Sequence, residues 1–206
     1  VVTIFGKTWD LHIQDVLKIS LDENLKIIED TVKYLASKGK MVIYDCEHFF
    51  DGYKSNPEYA VKTARIAQES GAKRIVFCDT NGGTVTSELV RIIHQVAPQV
   101  KAGLGIHAHN DLGLAVANSI MAIENGITHV QGTFNGYGER CGNADLSAII
   151  GILSTKLNSD CISGKNLKEL TKTSHFISEI SNLRQQPNQP FVGASAFALK
   201  GGVHIY

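Results

Sequence analysis

Five short apolar runs, each followed by a knot of polar residues and parted from the next by a helix-length segment, limit what this chain can become more than any other feature. The runs are Val1–Gly6, Met41–Cys46, Arg74–Cys78, Ala102–His109 and His129–Asn135. They show little polar alternation, which is the pattern of strands buried on both faces of a parallel sheet. Ser20-Leu-Asp-Glu23 is a capping-box pattern; Leu25, Ile28, Val32 and Leu35 follow at helical spacing, with Gly39 as the stop. Asn56-Pro57 opens a second helix with proline in its first turn, Ala60, Ala64 and Ala67 on one face, and Gly71 at its end. Leu89, Ile92, Ile93 and Val96 mark a third helix that closes near Pro98, and Leu114–Asn125 and Asp145–Leu157 are the fourth and fifth. A strand–helix repeat of about 30 residues predicts right-handed βαβ units and the α/β class, in either a (β/α) barrel or an open doubly wound sheet. Five strands do not close an eight-stranded barrel. Past residue 157 the pattern changes to one helix over Asn166–Leu183, a polar linker over Gln185–Pro190, and a small-residue segment, Gly193–His204, expected to be loop or domain junction.

Composition removes several function classes. Of 206 residues, 43% are apolar and 19% charged, and twenty basic residues balance twenty acidic ones. Disorder is excluded, and zero net charge gives no electrostatic reason to expect nucleic acid or a membrane surface. No apolar run approaches the roughly 20 residues of a membrane-spanning helix. The opening VVTIFG lacks the basic start of a signal peptide, so a cytoplasmic protein is expected. Cys46, Cys78, Cys141 and Cys161 form no CxxC pair and are expected to be free thiols in a reducing compartment.

The polar residues gather where each run ends. Asp10 and His12 follow the first run; the others end in Tyr44-Asp-Cys-Glu-His48, Cys78-Asp-Thr-Asn-Gly-Gly83, His107-Ala-His-Asn-Asp111 and Asn135-Gly-Tyr-Gly-Glu-Arg-Cys-Gly-Asn143. Active sites of parallel α/β folds form at the C-terminal ends of strands. Ordinary polar caps explain one or two such ends and explain five poorly. Residues i and i+2 of a strand share a side, so His107 and His109 present two imidazoles able to chelate one metal ion. Asp111 can cap the helix after them. Glu47 is either a general base or substrate-orienting acceptor, or a carboxylate paired with a neighbour. Thr80 can donate to a substrate carboxylate, and Asp79 can hold its own loop in a turn. The segment Gly136–Asn143 lacks GxGxxG order and is a poor dinucleotide loop. Its glycines permit an irregular backbone that lets Glu139, Arg140 and Asn143 point inward. Cys141 has no base beside it in the sequence and reads as an ordinary thiol.

The pair His107-Ala-His-Asn-Asp and Gly138-Glu-Arg-Cys-Gly-Asn143 resembles the DRE-TIM metallolyase superfamily, in the acyl-CoA-condensing branch of 2-isopropylmalate, homocitrate and citramalate synthases. Tyr44-Asp-Cys-Glu-His-Phe-Phe-Asp-Gly-Tyr53 looks most like the citramalate-synthase group. The resemblance implies an eight-stranded (β/α) barrel, a TIM barrel, of which residues 1–157 supply the last five units, with residues 158–206 as a helical linker and the start of an accessory subdomain. It implies a divalent metal (Mg, Mn, Co or Zn) held by His107, His109, Asn143 and an aspartate from a motif this chain lacks. It places Thr80 at the 2-oxo acid carboxylate, Glu47 facing the reacting carbonyl, and Glu139 and Arg140 in the loop that shapes the site. It brings His204 in from the linker, although the related pattern commonly has a histidine where this chain has Leu199. The implied reaction condenses acetyl-CoA with a 2-oxo acid, pyruvate foremost, to give citramalate for isoleucine biosynthesis. Glu47 is the first candidate base and His204 the second, with Arg140 meeting developing oxyanion charge. A homodimer is expected. The rivals are an isopropylmalate or homocitrate synthase, a metal-dependent carbon–carbon lyase on the same barrel, and a catalytically incomplete half-barrel that serves as an interaction module.

Overall fold

The computed structural model describes residues 1–198. The expected strands form as β1 (Val2–Lys7), β2 (Val42–Glu47), β3 (Arg74–Asp79), β4 (Gly103–Ala108) and β5 (His129–Gln131). All neighbours are parallel, in the spatial order β1-β2-β3-β4-β5. The chain divides into two compact units, one ending at Gln131 and one beginning at Gly132. The whole sheet lies in the first.

In that unit the helices α1 (Leu21–Ser37), α2 (Phe49–Ser55), α3 (Pro57–Glu69), α4 (Thr86–Val96) and α5 (Ala115–Glu124) connect the strands. Ser20 caps α1 by accepting from the Glu23 amide, and Asn56 caps α3 by accepting from Tyr59, with Pro57 in the first turn. Gly39 and Gly71 follow the ends of α1 and α3 where the sequence puts them. Ala60, Ala64 and Ala67 are fully buried, and their small size brings α3 close to the sheet. Two helical pieces are not anticipated by periodicity. One is a single π-helical turn, His12–Leu17, and the other is α2. Both sit in the polar loops after β1 and β2, where short segments carry too few apolar positions to reveal a period.

Each strand alternates between two surroundings. Val42, Tyr44 and Cys46 of β2, Ile75 and Phe77 of β3 and Ile106 of β4 pack under the helices in the main core. The residues between them face the other way. Ile43, Val76 and Cys78 form a small apolar cluster there, and Asp45, Glu47 and His107 share that side by the strand's two-residue period. This second face is concave. In a flat sheet β2 and β5 would stand roughly 14 Å apart, three strand spacings. Yet Gln131 Nε2 of β5 donates to Asp45 Oδ1 of β2 at 2.9 Å. Gly105 of β4 lies on the same face, where a Cβ would come within 2.8 Å of Val76 Cγ2 and 2.9 Å of the His129 ring. A glycine there is what lets the side chains of neighbouring strands close over the bend.

The second unit carries α6 (Leu146–Thr155), α7 (Gly164–Leu167) and α8 (Leu170–Ile180). Two expectations are corrected there and at its border. The fifth strand ends at Gln131 and not at Asn135, because Asn135 adopts a left-handed backbone (φ 62°) that breaks the extended run. The single helix expected over Asn166–Leu183 is two helices. Ser163 caps α7 through the Asn166 amide, and the Glu169 amide bonds back to Asn166 O, a tight three-residue return that ends α7 before α8 restarts at Leu170. Gly193–His204 is described only as far as residue 198, with a 3₁₀ turn over Ala194–Phe197; Leu199 and His204 lie outside the described residues. Among the described residues all four cysteines are free, and no helix is long and apolar enough to cross a membrane.

Candidate active site

The C-terminal ends of β1 to β4 meet at one rim of the concave face. Lys7 and Glu47 are register partners there, and their side chains form an ion pair at 2.5 Å, with Glu47 about one-fifth exposed. The Glu47 carboxylate thus has a paired neighbour, as one alternative had it. Lys7 is the residue that sequence reasoning passed over. Its signal is its place as the last residue of β1, directly beside Glu47 in register.

The loops after β1 and β2 meet through aromatic rings. His48 takes a left-handed backbone (φ 56°), and its ring lies 4.3 Å from that of His12, which in turn stacks on Trp9 at 5.0 Å. His48 Nδ1 is 3.4 Å from Asp51 Oδ2, and Asn81 donates to the same oxygen at 2.9 Å. Burial, with the neighbouring His48 and Lys7, lowers the basicity of His12. For Asp51 the opposing hydrogen bond from His48 and charge of Lys54 outweigh burial and hold the carboxyl below its usual range.

Thr80 Oγ1 accepts from the His48 backbone amide at 2.8 Å, which ties the loop after β3 to the loop after β2. Asp79 is buried and holds its own loop, as one alternative had it: Oδ1 accepts from the Thr84 hydroxyl at 2.9 Å and Oδ2 from the Thr84 amide at 3.3 Å. Burial raises its carboxyl above the usual range despite these donors.

His107 and His109 stand at the end of β4 with ring centroids 5.3 Å apart and planes inclined by 34°. His107 Nδ1 lies 2.8 Å from Gln131 Oε1, and Gln131 continues to Asp45. Burial raises the Asp45 carboxyl, against the lowering effect of the Gln131 donor. At the start of the following helix Asn110 Oδ1 accepts from the Ala115 amide at 3.1 Å. The Asp111 carboxylate lies over Gly82.

In the second unit the glycine-spaced loop is irregular, as expected. Gly138 makes room for Asn143, since a Cβ at 138 would fall 1.9 Å from Asn143 Oδ1. Asn143 is buried, and its amide bonds to Gly136 O. Glu139 is 78% exposed by side chain and pairs with Arg140 at 3.8 Å. Of the three residues expected to point inward, only Asn143 has a buried side chain. The loop is pinned by α8: Asn135 donates to Ser174 O at 2.9 Å and Tyr137 OH meets Ser178 Oγ at 2.7 Å.

Among the described residues no three His, Cys, Asp or Glu side chains converge on one point. The His107–His109 pair nonetheless suits a divalent ion. Two imidazoles leave one strand on one side, and one of them has its Nδ1 engaged by a carboxamide, the arrangement that orients ligating histidines.

A model of the HMGL-like family matches residues 1–177. The chain belongs to the HMGL-like family. Over 205 residues it is 54% identical to an (R)-citramalate synthase of Geobacter sulfurreducens, covering all of this chain and 39% of that protein. An (R)-citramalate synthase of Aquifex aeolicus is 55% identical over 99% of this chain and 39% of its own length. A 2-isopropylmalate synthase of Caldanaerobacter subterraneus is 38% identical over 98% of this chain and 51% of its own. The chain therefore spans about two-fifths of the citramalate synthases it matches. In fold it is similar to the HMG-CoA lyase of Bacillus subtilis (TM-score 0.75, 19% identity, 89% of this chain and 64% of that one). It is likewise similar to an HMG-CoA lyase of Acinetobacter baumannii (TM-score 0.73, 16% identity, 96% and 68%). The five βα units are units of that (β/α)8 barrel fold.

Proposed function

We propose that the protein of which this chain is part is an acyltransferase that condenses acetyl-CoA with pyruvate to give citramalate. The observation that carries the proposal is the histidine pair at the end of β4, oriented by Gln131, in a chain more than half identical throughout to (R)-citramalate synthases.

His107 and His109 are the residues to hold the divalent metal, and the family resemblance adds Asn143. When bound, such an ion supplies Lewis-acid polarisation of a 2-oxo acid's carbonyl. Thr80, fixed by the His48 amide, is the donor to the acid's carboxylate. Glu47 takes a proton from the acetyl methyl group at its carboxylate, with Lys7 holding that carboxylate at the rim. The enolate carbon attacks the keto carbon, and water then cleaves the thioester, which makes the reaction effectively irreversible. Arg140 meets developing oxyanion charge, and Glu139 shapes the substrate loop. His204 stays the second candidate base on resemblance alone. The reading brings with it a homodimer and a cytoplasmic location.

The test is CoA release from acetyl-CoA by the protein at its natural length, with Mg²⁺ or Mn²⁺ and each of several 2-oxo acids. Release with pyruvate and little with 2-oxoisovalerate is expected. The opposite preference would make it an isopropylmalate synthase, and no release with any acid would leave an interaction module. One methylene in the acceptor pocket is worth about 1–3 kcal/mol, so the expected preference is tenfold or more.

A further inference from the structure

Asp45, Gln131 and His107 form one unbroken hydrogen-bonded line across the concave face, from β2 to β5 and back to β4. The chemistry of the three groups leaves one consistent arrangement. A carboxylate has no proton to give, so the Gln131 NH₂ faces Asp45. The Gln131 carbonyl oxygen then faces His107, and a carbonyl only accepts. Nδ1 of His107 therefore carries the ring proton, and the ring lone pair sits on Nε2. The geometry points to Asp45 and Gln131 as positioning residues that set the tautomer of His107 and so present its Nε2 as the metal donor. The tautomer follows from the hydrogen bonds themselves, and only the last step rests on the metal proposal made above.

The cost of this arrangement argues against a packing role. Asp45 and Gln131 sit on strands three places apart in the sheet, and they meet only because the sheet bends. An apolar pair would fill the same space without removing a carboxylate from water. A carboxylate connected through an amide does one thing that an apolar pair cannot: it gives the line a direction.

That direction can be reversed or restored without changing side-chain size. Asp45→Asn replaces the acceptor with a group that both donates and accepts, so the Gln131 amide is free to turn. In the exchange D45N/Q131E, the new carboxylate at position 131 accepts from the new amide at position 45 and from Nδ1–H of His107. The exchange keeps the net charge and restores the polarity.

The experiment uses the protein at its natural length, labelled with ¹⁵N-histidine and stripped of metal with a chelator. Two-bond nitrogen–proton couplings give the tautomer of His107, whose signals are those lost in His107→Gln. The expected result is Nδ1–H in the wild type and a mixture with Nε2–H in D45N. Mn²⁺ affinity, read by the signal of free Mn²⁺, is expected to fall about 10–100-fold in D45N. Both readings are expected to return toward wild type in the exchange, a rescue that a purely structural role does not predict. Nε2–H in the wild type would overturn the assignment. So would a D45N protein with unchanged tautomer and affinity, or an exchange variant no better than D45N. Should D45N not fold, the wild-type tautomer and the exchange variant still decide. A wild-type protein with the Nδ1–H form that binds no Mn²⁺ would end the metal proposal and leave the positioning line in place.

Discussion

The two faces of the sheet are made by the same strands and obey different rules. Toward the helices, Tyr44, Cys46, Ile75, Phe77 and Ile106 are fully buried or nearly so and packed on one another, with Phe77 stacked on Phe49 at 4.2 Å. Toward the concave side, one residue further along each strand, stand Asp45, Glu47, His107 and Gln131, held by hydrogen bonds and an ion pair. Stability therefore resides in one face and, on the function proposed above, chemistry in the other. A substitution should affect one and spare the other.

The largest effect is expected on the chemical face. His109→Ala in the protein at its natural length should abolish metal-dependent turnover while its thermal unfolding stays close to wild type. Near-normal turnover would remove His109 from the ligand set. On the packed face, Phe77→Ala should cost about 3–5 kcal/mol in urea unfolding. Its Mn²⁺ affinity, measured well below the denaturation midpoint, should not change; a parallel loss would show that the two faces are coupled.

Thr84→Val tests a rim residue assigned to structure. It removes the hydroxyl that bonds the buried Asp79 carboxylate, and should cost about 1–3 kcal/mol of stability with turnover per folded molecule unchanged. A stable variant with lost turnover would move Asp79 from loop support to catalysis. The smallest effect concerns His129, on the concave side over Gly105. Its Nε2 has no hydrogen-bond partner among the described residues, and burial, then Arg74, lowers its basicity. A lowered folded value means the unfolded chain takes its proton first, so acidification from about pH 6.5 downward costs stability. His129→Gln should flatten the fall of Tm between pH 7 and 5. An unchanged slope would assign that fall to other groups, His12 first, since burial lowers its basicity too.

How much of this was legible from sequence depended on the range of the interaction concerned. The strands and the longer helices are announced by local periodicity and by caps such as Ser20 and Asn56, which act within one turn. The histidine pair was legible because i and i+2 on a strand need no knowledge of the fold. Gln131 and Asp45 were not, being 86 residues apart and joined only by the curvature of the sheet. Lys7 beside Glu47 needed the register of β1 on β2, and Asn135 against Ser174 needed the docking of α8 on the loop.

The proposed chemistry depends most on the concave face holding a divalent ion at His107 and His109. The direct measurement is a Mn²⁺ titration, in the absence of substrate, of the wild-type protein at its natural length and of a variant carrying His107→Ala and His109→Ala together. One saturable site in the wild type, absent from the double variant at equal folded fraction, is the predicted result. An identical binding curve for the two proteins, or no binding by the wild type, would contradict it.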